Sequence, residues 1–284
     1  VGEKLSLLSF FEKSIGLCDF LDRSRWEWAL ALASPEILRE LEKNLEASLE
    51  IGARIVYPGH REYPRQFFEL ENPPLFLSVL GASSWRDRNC IAIVGSREPT
   101  RNSLNWLEHH LPVFFEKRPQ SAVVSGGARG IDQKAHALAI RANIPTIVFL
   151  PSGLKQMYPS EIMDWKEPIL QSGGAIVSQF LPNQTIRKMH FEGRNRLIAC
   201  IGRMLFVAEA KRRSGSLMTA RLARELSREI AVLPAFPGEV KTGGCVDLLY
   251  DGVQPIRDAE DLLTFFDLNS KSAPSATKTE ECGN

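Results

Sequence analysis

From residue 90 onward the chain alternates short apolar runs with amphipathic stretches. The runs are Ile91-Ala-Ile-Val-Gly95, Ala122-Val-Val-Ser125, Pro145-Thr-Ile-Val-Phe-Leu150, Ala175-Ile-Val-Ser178, Met204-Leu-Phe-Val-Ala-Glu209 and Ile230-Ala-Val-Leu-Pro234. Runs this uniformly apolar and β-branched read as strands buried on both faces. Between them, segments near 101–116, 131–142, 159–172, 193–202 and 216–228 carry helical spacing, and short elements near 244–266 finish the chain. Strands alternating with helices of this length imply βαβ units, and hence a doubly wound, mostly parallel α/β sheet.

The first fifty residues follow a different rule. Leucines, phenylalanines and tryptophans recur with helical spacing over 4–50, and Ser34-Pro35-Glu36 reads as an N-cap followed by Pro at the first helical position. Residues 1–52 are expected to form a small helical N-terminal domain, either a packing module or a surface for another protein. Residues 53–88, punctuated by Pro58, Pro64, Pro73 and Pro74, read as a connector, with Asn72–Gly81 a loop leading into a strand. The core is expected over 89–268. The Ser-, Lys-, Thr- and Glu-rich stretch 269–284 has no apolar period and reads as disordered.

Composition changes the picture only locally. The chain of 284 residues carries a formal charge of +1, but the balance is uneven. Residues 183–241 hold 12 Lys and Arg against 5 Asp and Glu, whereas 242–284 hold 3 against 8. A basic segment inside a nearly neutral protein suggests a polyanion footprint. The five cysteines are scattered, without C-x-x-C or Cys/His ligand spacing, so neither a disulfide framework nor a zinc site is expected. No apolar stretch is long enough to span a bilayer and the N-terminus lacks a signal-peptide pattern, so a cytoplasmic protein without membrane contact or cofactor is expected.

Candidate chemistry gathers at strand ends. Gly95-Ser96-Arg97 closes the first strand, and Ser125-Gly126-Gly127-Ala-Arg129-Gly130-Ile-Asp132 leads from the second into a helix. Glycines around a helix start let a ligand approach the backbone and turn free N–H groups toward an anion. Arg129 adds charge, while Asp132 either caps the turn or tethers Arg129. A G-x-G-x-x-G dinucleotide fingerprint with its acidic ribose partner is absent, and so is a P-loop lysine. Lys188-Met-His-Phe191-Glu-Gly-Arg194-Asn-Arg196 interleaves cations with a ring, the pattern that single-stranded nucleic acid requires, though Phe191 equally suits a core position. Glu209 ends a later strand, either as a catalytic acid or as a residue holding arginines in place. Ser214-Gly215-Ser216 then opens a helix containing Thr219, and Arg221, Arg224 and Arg228 lie on one face of it, either as a binding stripe or as a solvated one. His136 and His190 have no triad or ligand spacing.

Taken in order and spacing, Gly95-Ser-Arg97, Ser125–Asp132, Gly153-Leu-x-x-x-Tyr158-Pro159, Phe191-x-x-Arg194-Asn-Arg196, Glu209-Ala and Ser214-Gly-Ser-Leu-x-Thr219-Ala220 resemble the DNA-processing protein A (DprA, or Smf) family over roughly residues 52–256. The resemblance implies an extended Rossmann-like domain that binds single-stranded DNA without catalysis. It further implies homodimerisation, protection of incoming strands in natural transformation, and loading of the RecA recombinase. By motif match, Arg97 would meet phosphate, Lys188 the strand, and Phe191 a base. Gly95, Ser96, Ser125, Gly126, Gly127, Arg129 and Gly130 would line the pocket, together with Ser214, Gly215, Ser216 and Thr219. Arg194 and Arg196 would either touch DNA or brace the site.

Three departures stand out. Glu192 replaces a frequent Pro, Gln179 replaces a frequent Glu, and no room for the winged-helix domain of some relatives is expected after the core. An enzyme remains the rival reading, because LOG-type phosphoribohydrolases also pair a Gly-Gly loop with a second glycine turn. Their P-G-G-x-G-T-x-x-E pattern, however, differs from Ser214-Gly-Ser-Leu-Met-Thr219 here. A protein-interaction scaffold is the third reading.

Overall fold

In a computed structural model the described residues are 35–58 and 60–268. The expectations for 1–34 and for the tail from 269 therefore lie outside the described residues. Within them, the N-terminal helical pattern continues as α1 (Pro35–Glu50).

The strands are β1 (Arg54–Val56), β2 (Leu77–Gly81), β3 (Asn89–Val94), β4 (Ser121–Ser125), β5 (Thr146–Leu150), β6 (Ala175–Ser178), β7 (Met204–Val207), β8 (Glu229–Val232) and β9 (Gln254–Pro255). They form one sheet in the order β1-β2-β6-β5-β4-β3-β7-β8-β9. From β3 to β9 every pairing is parallel, whereas β1 with β2 and β2 with β6 are antiparallel. The intervening helices are α2 (Arg101–Lys117), α3 (Ile131–Arg141), α4 (Ile162–Gln171), α5 (His190–Ile201), α6 (Gly215–Glu225), α7 (Gly243–Tyr250) and α8 (Ala259–Leu268).

The apolar runs explain the two layers. Side chains alternate across a strand, so Ile91 and Ile93 of β3 join Leu107, Leu111, Phe114, Ile131 and Phe266 on one face. Cys90, Ala92 and Val94 join Leu197, Ile198, Cys200, Leu222 and Leu248 on the other. Helices α2, α3 and α8 thus cover one face, and α5, α6 and α7 the opposite one.

Two differences from the sequence reading bear on the site. The stretch expected as a connector supplies β1 as well as the expected strand ending at Gly81, β2, and its Phe67 and Trp85 meet Phe149 of β5 edge-on at centroid distances of 6.1 and 6.3 Å. Its prolines and short run concealed β1, which pairs with β2, itself paired with β6. Helix α5 also starts at His190 rather than near 193, which brings Phe191 and Glu192 into its first turn.

The chain runs outward from β3 through β4, β5 and β6, then returns along α5 to β7 on the other side of β3. The strand order reverses between β3 and β7, and a crevice opens beyond the carboxyl ends of such strands.

Phe67 is fully buried. Phe67→Ala should therefore lower the stability of the whole sheet domain by about 3–5 kcal/mol, read as a shift of a single urea transition. An unchanged midpoint would mean that the segment is a mere linker.

Candidate nucleic-acid interface

At the reversal of strand order lies a cavity of about 430 Å³. Its lining comes from the loop after β3 (Gly95, Ser96, Arg97, Glu98), the start of α3 (Ala128, Asp132), α5 (Phe191, Arg194, Asn195, Ile198), and the β7–α6 segment (Lys211, Ser214, Gly215, Ser216, Thr219). A second cavity of about 380 Å³ shares Arg97, Glu98, Ala128, Phe191 and Arg194, and adds Gly126, Arg129, Tyr158, Ser160 and Glu161. Phe191 and Arg194 belong to both, so the two form one groove along the rim of the sheet.

The turns that build this rim are held by specific close approaches. Gly130 has φ +84°, and a Cβ there would stand 2.3 Å from the Ser96 carbonyl oxygen. The neighbouring Ile131 N–H donates to that same oxygen at 3.1 Å. Ser216 Oγ donates to the Gly95 carbonyl at 3.0 Å, and Ser214 caps α6 by accepting from Leu217 N–H at 3.3 Å. The glycine turn, the Gly-Ser-Arg turn and the Ser-Gly-Ser turn are therefore braced against one another.

Beneath the groove, Arg194 is only 5% exposed, and its buried Nε has no hydrogen-bond partner among the described residues. Burial lowers its pKa to about 10, the Asp132 carboxylate opposes that fall, and nearby Arg97 adds to it. Asp132 is itself buried, and desolvation raises its pKa against the pull of Arg194. Its Oδ2 accepts from the N–H groups of Gly126 and Ala128 at 3.2 and 3.4 Å. Asp132 thus caps the glycine turn and faces Arg194. The partner of Arg129 is Glu161, across a 2.5 Å contact. A Cβ on Gly126 would fall 1.2 Å from Arg194 Nη1, so a side chain there would displace the guanidinium.

Above this floor stands Phe191, partly exposed. The Arg97 and Arg194 guanidinium carbons lie 5.7 and 5.9 Å from its ring centroid, and Tyr158 meets it edge-on at 6.1 Å. Cations against an aromatic face at this range attract the ring quadrupole. Phe191 is accordingly part of the groove wall rather than of the core.

Not every expected site residue reaches the groove. Ser125 is fully buried and donates to the Ile93 carbonyl at 2.6 Å. Gly127, with φ +68°, packs where a Cβ would meet Ile162 and Val148. These two shape the walls from behind, whereas Thr219 reaches the lining although its hydroxyl donates within its own helix to Gly215. Lys188 is exposed, just before α5, and lines neither cavity; Arg196 is half-buried outside both.

The proposed basic stripe on α6 does not form. Arg221 lies near Glu192 and Glu225, Arg224 pairs with Asp251, and Arg228 falls beyond the helix. Arg228 binds the Cys200 carbonyl and Glu69. The same contacts engage Glu192, the departure beside the ring, while Gln179 lies against Gly193.

Glu209 holds no arginine. It is fully buried, and its Oε2 accepts from Thr100 N–H, Thr100 Oγ1 and Ser103 Oγ at 2.8, 2.6 and 2.7 Å. It thereby ties the end of β7 to the N-terminus of α2, where a carboxylate is favoured. His136 is buried against Thr146 Oγ1, and burial lowers its pKa to about 3. His190 stacks on Phe180 with its Nδ1 near the Pro151 carbonyl. Both histidines are packing groups.

Sequence reasoning missed Tyr158, Glu161 and Lys211 as members of the groove. Tyr158 belonged to a quoted motif, but nothing in its spacing signalled an edge-on contact with a ring 33 positions later.

With the groove described, the comparisons with known proteins are decisive. The family model for DNA recombination-mediator protein A matches residues 54–267. The chain belongs to that family. It is 32% identical over 223 residues to Protein Smf of Synechocystis, covering 77% of this chain and 55% of that protein. It is 30% identical over 224 residues to DNA processing protein DprA of Bacillus subtilis, covering 78% and 74%. The chain thus spans about half the length of the Synechocystis relative.

Among solved structures, DprA from Streptococcus pneumoniae superposes with a TM-score of 0.70 at 26% identity, covering 92% of this chain and 91% of that one. A Helicobacter pylori DNA processing protein A, described for its single-stranded DNA binding mode, gives 0.64 at 29% identity, covering 74% and 93%. The Rossmann-like sheet is that of the family.

Removing one partner of a buried charge pair leaves the other uncompensated. Asp132→Asn should lower stability by roughly 3 kcal/mol, with the combination of Asp132→Asn and Arg194→Met less destabilised than the two singles added together. Additive losses in urea unfolding would show that the pair is uncoupled.

Proposed function

We propose that the groove binds single-stranded DNA and that the protein acts, without catalysis, as a mediator of recombination. The observation that carries this reading is Phe191, a partly exposed ring flanked by Arg97 and Arg194 over a groove that is open at the strand-order reversal. A base stacks on a ring of this kind whatever its identity, while cations beside it hold the phosphates. The Helicobacter pylori relative's described binding mode supports the same ligand. In this reading the protein works as a homodimer in the cytoplasm, shields incoming strands during natural transformation and hands them to RecA. Among the described residues, no helix is long and apolar enough to cross a membrane.

The enzymatic alternative would need an acid in contact with substrate. Glu209 is fully buried, lines neither cavity and serves the N-terminus of α2. Glu209, the acid on which that alternative rests, is thus withheld from the groove, which favours binding over turnover.

Phe191→Ala should weaken binding of oligothymidylate by about 1–3 kcal/mol, with the salt slope preserved. Arg97→Gln should instead reduce the slope of log affinity against log salt by about 0.7. Lys188→Gln, outside the cavities, should have the smaller effect. Fluorescence anisotropy at several ionic strengths reads all three. If neither Phe191→Ala nor Arg97→Gln changes affinity, the groove is not the binding site. Free base released from AMP, and lost in Glu209→Gln, would reinstate the enzyme.

A further inference from the structure

The groove does not stop at Lys211. That side chain lines the switch-point cavity and also a separate depression of about 390 Å³. Arg212, the Pro237–Val240 turn after β8, and Gly243 at the first turn of α7 complete the depression. Because β8 lies beside β7, the loop that follows it emerges on the same rim. Lys241 pins this loop to the first cavity by donating to the Glu98 carbonyl at 3.1 Å.

Three features suit this depression to a nucleic acid. Phe236, on the pinned loop, is 81% exposed, which leaves its ring open to a flat ligand. Helix α7 starts without a side-chain cap, and the Oγ1 of Thr242, buried at its start, has no partner. Of the helix's first N–H groups, that of Gly244 donates to the Ala210 carbonyl and that of Cys245 to the Thr242 carbonyl, which leaves the Gly243 N–H, in the lining of the depression, for an anion. Arg212 is held beside that terminus, with Nε and Nη2 each 2.8 Å from Asp247. A Cβ on Gly243 would lie 3.6–3.9 Å from the Arg212 side chain. Three carboxylates oppose the cations here: Asp247, engaged by Arg212; Glu98, 3.8 Å from Lys211; and Glu239 in the lining.

We propose that a DNA strand held at Phe191 continues past Lys211 into this depression, where Phe236 stacks on a second base and Arg212 with the α7 N-terminus receives a phosphate. The inference rests on the single-strand reading of the groove. Two stacking rings joined by a shared lysine make the footprint longer than the first pocket alone, so the second subsite matters only for a strand long enough to reach it.

Oligothymidylates from about 4 to about 25 nucleotides separate the two subsites. Phe191→Ala should weaken binding at every length. Phe236→Ala and Arg212→Gln should leave the shortest oligomers unaffected and weaken the longest about tenfold. Phe236→Trp should report the second base directly, its indole emission quenched by long but not by short oligomers. If Phe236→Ala and Arg212→Gln bind long strands as the unaltered protein does while Phe191→Ala does not, the second subsite is refuted and the groove stands. If Phe191→Ala is also without effect, both fall.

Discussion

A guanidinium removed from water, its Nε without an acceptor among the described residues, is the most demanding feature of this molecule. Arg194 lies at the floor of the groove, and Asp132 is the carboxylate that offsets its burial. Several otherwise separate choices follow from that pairing. Asp132 must sit in the first turn of α3, which fixes how the chain leaves β4. Gly126 leaves open the space that Arg194 occupies. Asp132 also accepts from two N–H groups of the glycine turn, so the turn, the helix start and α5 are set as one unit. A buried charge balanced in this way is weak evidence for stability. Its better rationale is positional, since it brings a positive charge under Phe191 where a solvated arginine would wander.

The opposite wall depends on a second buried acid. Glu209 bonds Thr100 and Ser103 across the reversal between β3 and β7, fixing the N-terminus of α2 and with it the Gly95–Arg97 turn. Its role explains why a carboxylate closes an apolar strand with no ligand near it. Two buried acids thus brace the turns from beneath. The groove itself sets Arg97, Arg129, Arg194 and Lys211 beside Glu98, Asp132 and Glu161, a small excess of cations in a chain whose net charge is only +1.

Much of this was legible in the sequence because strands buried on both faces are nearly pure apolar runs. From β3 to β8 the elements fall within a few residues of their expected positions, and the strand-end turns do converge on one rim. What escaped were features decided by tertiary partners. β1, three residues long, carries no alternation strong enough to declare it; pairing with β2 makes it a strand. Arg221 and Arg224 looked like a stripe until Glu192, Glu225 and Asp251 came within reach. Asp132 left two partners open, and only the fold shows that the distant Arg194, rather than neighbouring Arg129, faces it. Ser125 sits in a motif position yet points inward, because a motif marks a turn and not the direction of each side chain.

The function proposed for the groove also carries a physical basis for distinguishing single strands from duplex. A guanidinium network alone would hold either, since both present phosphates. Phe191 changes this, because a ring packed between Arg97, Arg194 and Tyr158 offers stacking only to a base already free of its own neighbours. A duplex base would first have to be unstacked and unpaired, at a free-energy cost of a few kcal/mol per nucleotide, comparable to what one such stacking contact returns. With phosphate contacts common to both ligands and stacking accessible to one, discrimination falls to the ring, and affinity for the polymer to the cations around it.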